Sequence, residues 1–226
     1  MRVAVFGDSI ANGLGVRGPR YADLVTEALG AELLDFTASA QTVAVSEARL
    51  RASGVDGIDL AIIAHGTTEA ILRPSQRTLR CVPARWRRTG WLDPRPYFST
   101  SRHRRLAQRL ESEARWRVKV GLLKWGTAEQ LLALPAFVDH MVGLQDALRA
   151  RGAHVVILGP TDLDDRYFPG SSAALREYAS GSRSVARSYV PMNGALQRWD
   201  HYCLDHFHPN EAGHRAMAER ITAALP

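Results

Sequence analysis

A serine, a histidine and an aspartate occur in settings suited to acyl transfer, although they lie at opposite ends of the chain. Ser9 follows Gly7-Asp8 and stands just after the apolar run Val3-Ala4-Val5-Phe6. Asp205 and His208 share the segment Asp205-His206-Phe207-His208-Pro209. A serine hydroxyl is a poor nucleophile at neutral pH unless a base takes its proton. His208 can act as that base if an acceptor holds its other ring nitrogen, and Asp205 is the nearest candidate. Asp205 could instead cap the final helix, a common use of Asp. His206 competes as the base but has no Asp at the matching offset. His214, inside the last helical pattern, reads as a surface residue.

The elements that must position these residues alternate along the chain. Arg2–Phe6, Glu32–Phe36, Ile58–Ala64 and Ala153–Leu158 read as strands, the third a continuous apolar run of the kind a buried parallel strand shows. Between them, Tyr21–Leu29 and Val43–Ala52 read as helices stopped by Gly30 and Ser53-Gly54. Thr127 with Gln130 forms a possible capping box, Pro135 suits the first turn of a helix running to Arg151, and Gly152 stops it. Pro209 opens the last helix, with Ala212, Met217, Ala218 and Ile221 on one face. Residues 160–190 are Asp-, Gly- and Ser-rich around a helical middle, Ala173–Tyr189. Such alternation predicts an α/β protein, a parallel sheet with helices on both faces. Ligands bind such sheets at the carboxyl ends of the strands, where Ser9 should lie.

Gly7-Asp8-Ser9, with Gly13 following, and Asp205-x-x-His208-Pro209 far downstream together resemble the SGNH, or GDSL, hydrolase superfamily. The resemblance implies a flavodoxin-like three-layer α/β/α sandwich and a triad of Ser9, Asp205 and His208. It also implies an oxyanion hole built from the Ser9 backbone N–H and from two further motifs that contribute a Gly and an Asn. For the first, the best match is Ser39-Ala40-Gln41-Thr42, with Ala40 in place of the glycine; for the second, Gly66-Thr67-Thr68-Glu69, with Thr68 in place of the asparagine. A backbone N–H survives the first change. The second exchanges an amide for a hydroxyl of shorter reach.

Composition bounds the rest. A chain of 226 residues with 46% hydrophobic residues is long enough for one domain with a substantial core. No apolar run is long enough to span a membrane. Met1-Arg2 leads directly into the first strand, which argues against a signal peptide. Cys81 and Cys203 do not make a disulfide framework or a metal site, so a cytoplasmic protein without cofactor or metal is expected. Between Arg73 and Gly126 stand 15 Arg or Lys against 3 acids, a net of +12, while the rest of the chain carries −6. This stretch, read as an insertion after the third strand that forms a lid or pocket wall, also holds Trp86, Trp91, Trp116 and Trp125. Arg85, Trp86, Arg87, Arg88 and Trp91 are its candidate substrate contacts, with arginines for phosphate or carboxylate and tryptophans for a ring. The group Arg102-His103-Arg104-Arg105 could serve similarly, or the charges could form only a solvated face.

The expected function is therefore a serine esterase hydrolysing an O-acyl ester, such as acetyl, of a small or medium metabolite or sugar, with room for an anionic group. An acyltransferase, or a catalytically weak binding protein on the same scaffold, is the alternative. A carrier protein or coenzyme A thioester could also meet the basic patch. Nucleic acid is disfavoured, because no recognisable nucleic-acid module accompanies the charge.

Overall fold

The structure is a computed structural model that describes residues 1–225. Its centre is a five-stranded, all-parallel sheet in the order β2-β1-β3-β6-β7. The strands are β1 (Arg2–Gly7), β2 (Glu32–Thr37), β3 (Leu60–Ala64), β6 (His154–Leu158) and β7 (Tyr189–Val190). Val3 to Phe6 and Ala61 to Ile63 are wholly buried, as strands covered on both faces must be. Helices α1 (Tyr21–Ala28) and α7 (Glu211–Ala223) pack together on one face. On the other, α2 (Val43–Ser53), α5 (Leu134–Arg149) and α6 (Ser171–Val185) lie side by side, with the short helix α3 (Thr67–Ala70) against α6. This is the expected three-layer α/β/α sandwich.

Local departures have physical reasons. Residues 173–189 do not form one helix: α6 ends at Val185, and Tyr189–Val190 adds a short edge strand. Gly159 N–H donates to the Val190 carbonyl at 2.8 Å, and Ile157 N–H to that of Ser188 at 3.0 Å. Two residues are too short a run to show the alternation by which strands are recognised. Thr127 and Gln130 make no capping box. Ala128–Glu129 forms β5 and pairs antiparallel with β4 (Arg73–Pro74), while α5 starts later, with Pro135 in its first turn. Asn210, not Pro209 or Asp205, caps α7, its side chain accepting from Gly213 N–H at 3.0 Å.

The β4–β5 pair forms a neck where the basic stretch leaves and rejoins the body. Ser75 and Thr127 reinforce it, N–H to carbonyl at 2.8 Å and hydroxyl to hydroxyl at 2.6 Å. Beyond the neck, Leu79, Val82 and Leu92 form a small cluster of their own, covered by Trp86, Trp91, Val118 and Leu122. The long helix α4 (Arg102–Trp125) closes this lobe, and Trp116 fastens it to the main core. Among the described residues, no helix is long and apolar enough to cross a membrane.

Candidate active site

Ser9 owes its position to the break at the end of β1. A Cβ on Gly7 would lie 2.5 Å from Ala11 Cβ and 2.9 Å from the Ala64 carbonyl oxygen, so only glycine lets the turn pack this closely on β3. Asn12 N–H to the Asp8 carbonyl and Leu14 N–H to that of Ser9 then coil the chain beneath the serine.

The segment before α7 meets it there. Ser9 Oγ is 2.8 Å from His208 Nε2, and His208 Nδ1 is 2.6 Å from Asp205 Oδ2. The other Asp205 oxygen accepts the backbone N–H groups of Phe207 and His208, at 3.2 and 3.1 Å. All three residues are buried. Asp205 thus orients the imidazole and does not cap the helix. His206 is engaged elsewhere, its Nδ1 2.7 Å from Asp164 Oδ2 and its ring stacked on Trp199. His214 is not on the surface. Because α7 lies on α1, His214 is wholly buried, accepts the Tyr21 N–H at 3.2 Å and stacks on the Tyr21 ring. Burial pushes its pKa down to about 4.

Ala40 and Thr68 line the same cavity as Ser9 and His208. Among the described residues, the backbone N–H groups of Ser9 and Ala40 donate no hydrogen bond within the protein. Ala40 adopts φ +59°, a left-handed conformation that favours glycine. The Thr68 N–H donates to Asp8 Oδ2 at 3.2 Å, and the Thr68 hydroxyl lies beside the same carboxylate. Burial pushes the Asp8 carboxyl above its ordinary value, against the lowering effect of the Thr68 side chain beside it.

One carboxylate ties the two loops together. Glu69 accepts the Val43 N–H, just after the Ala40 loop, at 2.8 Å, and the Gly66 N–H, just before Thr68, at 2.9 Å. Gly66 itself has φ +116°, a conformation open to glycine. Burial alone would raise Glu69, but His65 beside it and the two N–H groups hold its carboxyl below the usual range. His65 passes the link to Ser46 at 2.7 Å, and Ser46 to Gln41 at 2.8 Å. The Gly66-x-x-Glu69 spacing, a helix-start pattern, was the available sequence signal for this brace.

The cavity above Ser9 has a volume of about 290 Å³. Of the candidate substrate contacts, only Trp91 lines it. Trp86, Arg87 and Arg88 line a separate, smaller hollow, and Arg85 is exposed outside both. Arg87 is spent on the carbonyls of Arg80 and Val82. The cations at the Ser9 cavity are instead Arg73, Arg95 and Arg115, which the sequence did not single out. Asp93 is there too, ion-paired with Lys119; burial would raise its carboxyl, but Lys119 and Arg73 hold it low. Among the described residues, no group of three or more His, Cys, Asp or Glu could hold a metal ion.

The model of the GDSL-like lipase/acylhydrolase family matches residues 5–216. The chain belongs to that family. As a GDSL-like protein it is a serine hydrolase, and its fold has solved counterparts. The lipase/acylhydrolase from Enterococcus faecalis aligns over 98% of this chain and 93% of its own, with a TM-score of 0.62 and 13% identity. TesA aligns over 100% and 98%, at 0.62 and 18%. Axe2, an acetylxylan esterase from Geobacillus stearothermophilus, aligns over 99% and 93%, at 0.61 and 14%. At such identities the likeness is one of fold. No curated protein matches the sequence.

Proposed function

We propose that this GDSL-like hydrolase cleaves an O-acyl ester of a small or medium metabolite or sugar through an acyl-enzyme on Ser9. The observation that carries the reading is the buried relay from Ser9 Oγ to His208 Nε2 at 2.8 Å and from His208 Nδ1 to Asp205 at 2.6 Å. His208 takes the serine proton as Oγ attacks the acyl carbonyl, then gives it to the departing alcohol oxygen. Water, deprotonated by the same imidazole, attacks the acyl-enzyme and releases the acid. Asp205 keeps the ring oriented and stabilises its protonated form. The Ser9 and Ala40 N–H groups with the Thr68 hydroxyl bind the oxyanion, and each such donor contributes roughly 3–4 kcal/mol in comparable sites. Residues 73–126 serve as an insertion that walls the cavity, a reading supported by Thr89, Trp91, Pro94, Arg95 and Arg115 in its lining.

A fluorophosphonate should label the parent protein at Ser9. Ser9→Ala should lose the label and lower hydrolysis of 4-nitrophenyl acetate by at least about a thousandfold, with an unchanged melting temperature. Full activity in a folded Ser9→Ala protein excludes the serine as nucleophile. Added alcohol acceptors, with the products analysed, separate hydrolysis from acyl transfer.

A further inference from the structure

The acyl-transfer chemistry leaves the charge of the Ser9 cavity unused. Arg115, only 4% exposed, lies over the Trp91 ring at 3.7 Å and gives Nη2 to Glu111 at 2.6 Å. Its Nε is buried with no hydrogen-bond partner, and so is Trp91 Nε1. Arg95 reaches the same Glu111 at 3.3 Å, so one half-exposed carboxylate serves two guanidinium groups. Arg73 spends Nη1 on the carbonyls of Thr68 and Ile71 and also keeps a buried Nε without a partner. Arg95 and Arg115 thus share the single carboxylate of Glu111, which leaves one positive charge at the cavity uncompensated, whereas Lys119 and Arg73 both face Asp93, with Glu69 and Asp8 also near Arg73. Buried donors without acceptors are costly, and a solvated surface would not need them buried.

We propose that Arg73, Arg95 and Arg115, with Trp91, form an anion subsite in the Ser9 cavity, so that the preferred ester carries a carboxylate or phosphate beside its acyl group. This rests on Ser9 being the point of attack. The stacking of Arg115 on Trp91 fixes the guanidinium plane, and a fixed fork meets a planar carboxylate or a phosphate in two parallel hydrogen bonds. A cavity of about 290 Å³ suits a compact metabolite more than a long chain. The selecting charge is gathered from three separate places along the chain and not from the Arg85–Arg88 cluster.

The test compares kcat/KM for matched esters. 4-Acetoxyphenyl phosphate and 4-acetoxybenzoate, against phenyl acetate, put the anion on the alcohol. Mono-4-nitrophenyl glutarate, against 4-nitrophenyl butyrate, puts it on the acid. At least one anionic ester should be preferred by about tenfold or more. That ratio should fall about tenfold to a hundredfold in Arg95→Gln and Arg115→Gln but not in Arg88→Gln, whose side chain lines the neighbouring hollow. Binding of phenyl phosphate and benzoate, measured by calorimetry, should weaken in the same two variants. That arm does not depend on turnover, so a failure of Ser9 chemistry is distinguishable from a failure of the subsite. If Arg115→Gln does not fold, Arg95→Gln decides, because Arg95 is partly exposed. No anionic preference in the parent together with no anion binding overturns the proposal. An equal loss in Arg88→Gln also overturns it, assigning selection to the general field.

Discussion

Ala40 shows how a single residue can be out of step with its own backbone. At φ +59° an L side chain crowds the following carbonyl, at a cost of roughly 1–2 kcal/mol that glycine would not bear. Glycine would lose about 0.5–1 kcal/mol more in chain entropy on folding. Ala40→Gly should therefore stabilise the protein by up to about 1 kcal/mol, raising Tm by about 2–4 °C, and keep its esterase activity because the N–H remains. A thermal melt checks this, and a lower Tm would contradict the strain. At this scale Ser9, Asp205 and His208 were legible in the sequence, because each stands in a short segment with its own pattern. Arg73, Arg95 and Arg115 were not. Their neighbourhood exists only after the lobe has folded over Ser9, whereas the conspicuous Arg85–Arg88 run is used inside the lobe or exposed.

Among the elements, the contact of α1 with α7 carries a titratable group in its middle. His214 accepts the Tyr21 N–H only while neutral, and its pKa is pushed from 6.5 to about 4, first by burial and then by His208 and Arg20, with Asp23 opposing. The unfolded chain therefore binds the proton more readily than the folded one between those values. Stability from this group is complete above about pH 6.5 and is lost as pH falls toward 4, a loss on the order of 3 kcal/mol. His214→Asn, which keeps an acceptor but does not titrate, should flatten the dependence of Tm on pH across that window relative to the parent. Parallel curves for the two proteins would sink the assignment. The sequence placed His214 on the surface because the helical pattern there names one apolar face and hides a polar residue that is buried by pairing. The main helices and strands were readable from their apolar periodicity; β7 was not, since its two residues are held by the register of β6 and not by any pattern of their own.

For the whole molecule, the separation of charge is the property most open to measurement. The stretch from Arg73 to Gly126 carries +12 and the remainder −6. Part of that positive charge borders the Ser9 cavity, so it should draw anionic esters inward over distances that salt can screen. Between 0.1 M and 1 M salt the Debye length shortens from about 10 Å to about 3 Å. The kcat/KM for 4-acetoxyphenyl phosphate should fall clearly over that range, and that for phenyl acetate should hold nearly constant. Equal salt dependence for both would place the field away from the reaction. The neck at Ser75 and Thr127 has a different consequence. The chain departs and returns through one doorway, so the order of the five parallel strands does not depend on what lies between. The lobe is nevertheless moored to the body, by Trp116 against Tyr167 and by Arg73 on the carbonyls of Thr68 and Ile71, so a foreign lobe spliced in at that doorway would bring new tastes to an old reaction only if it kept those moorings.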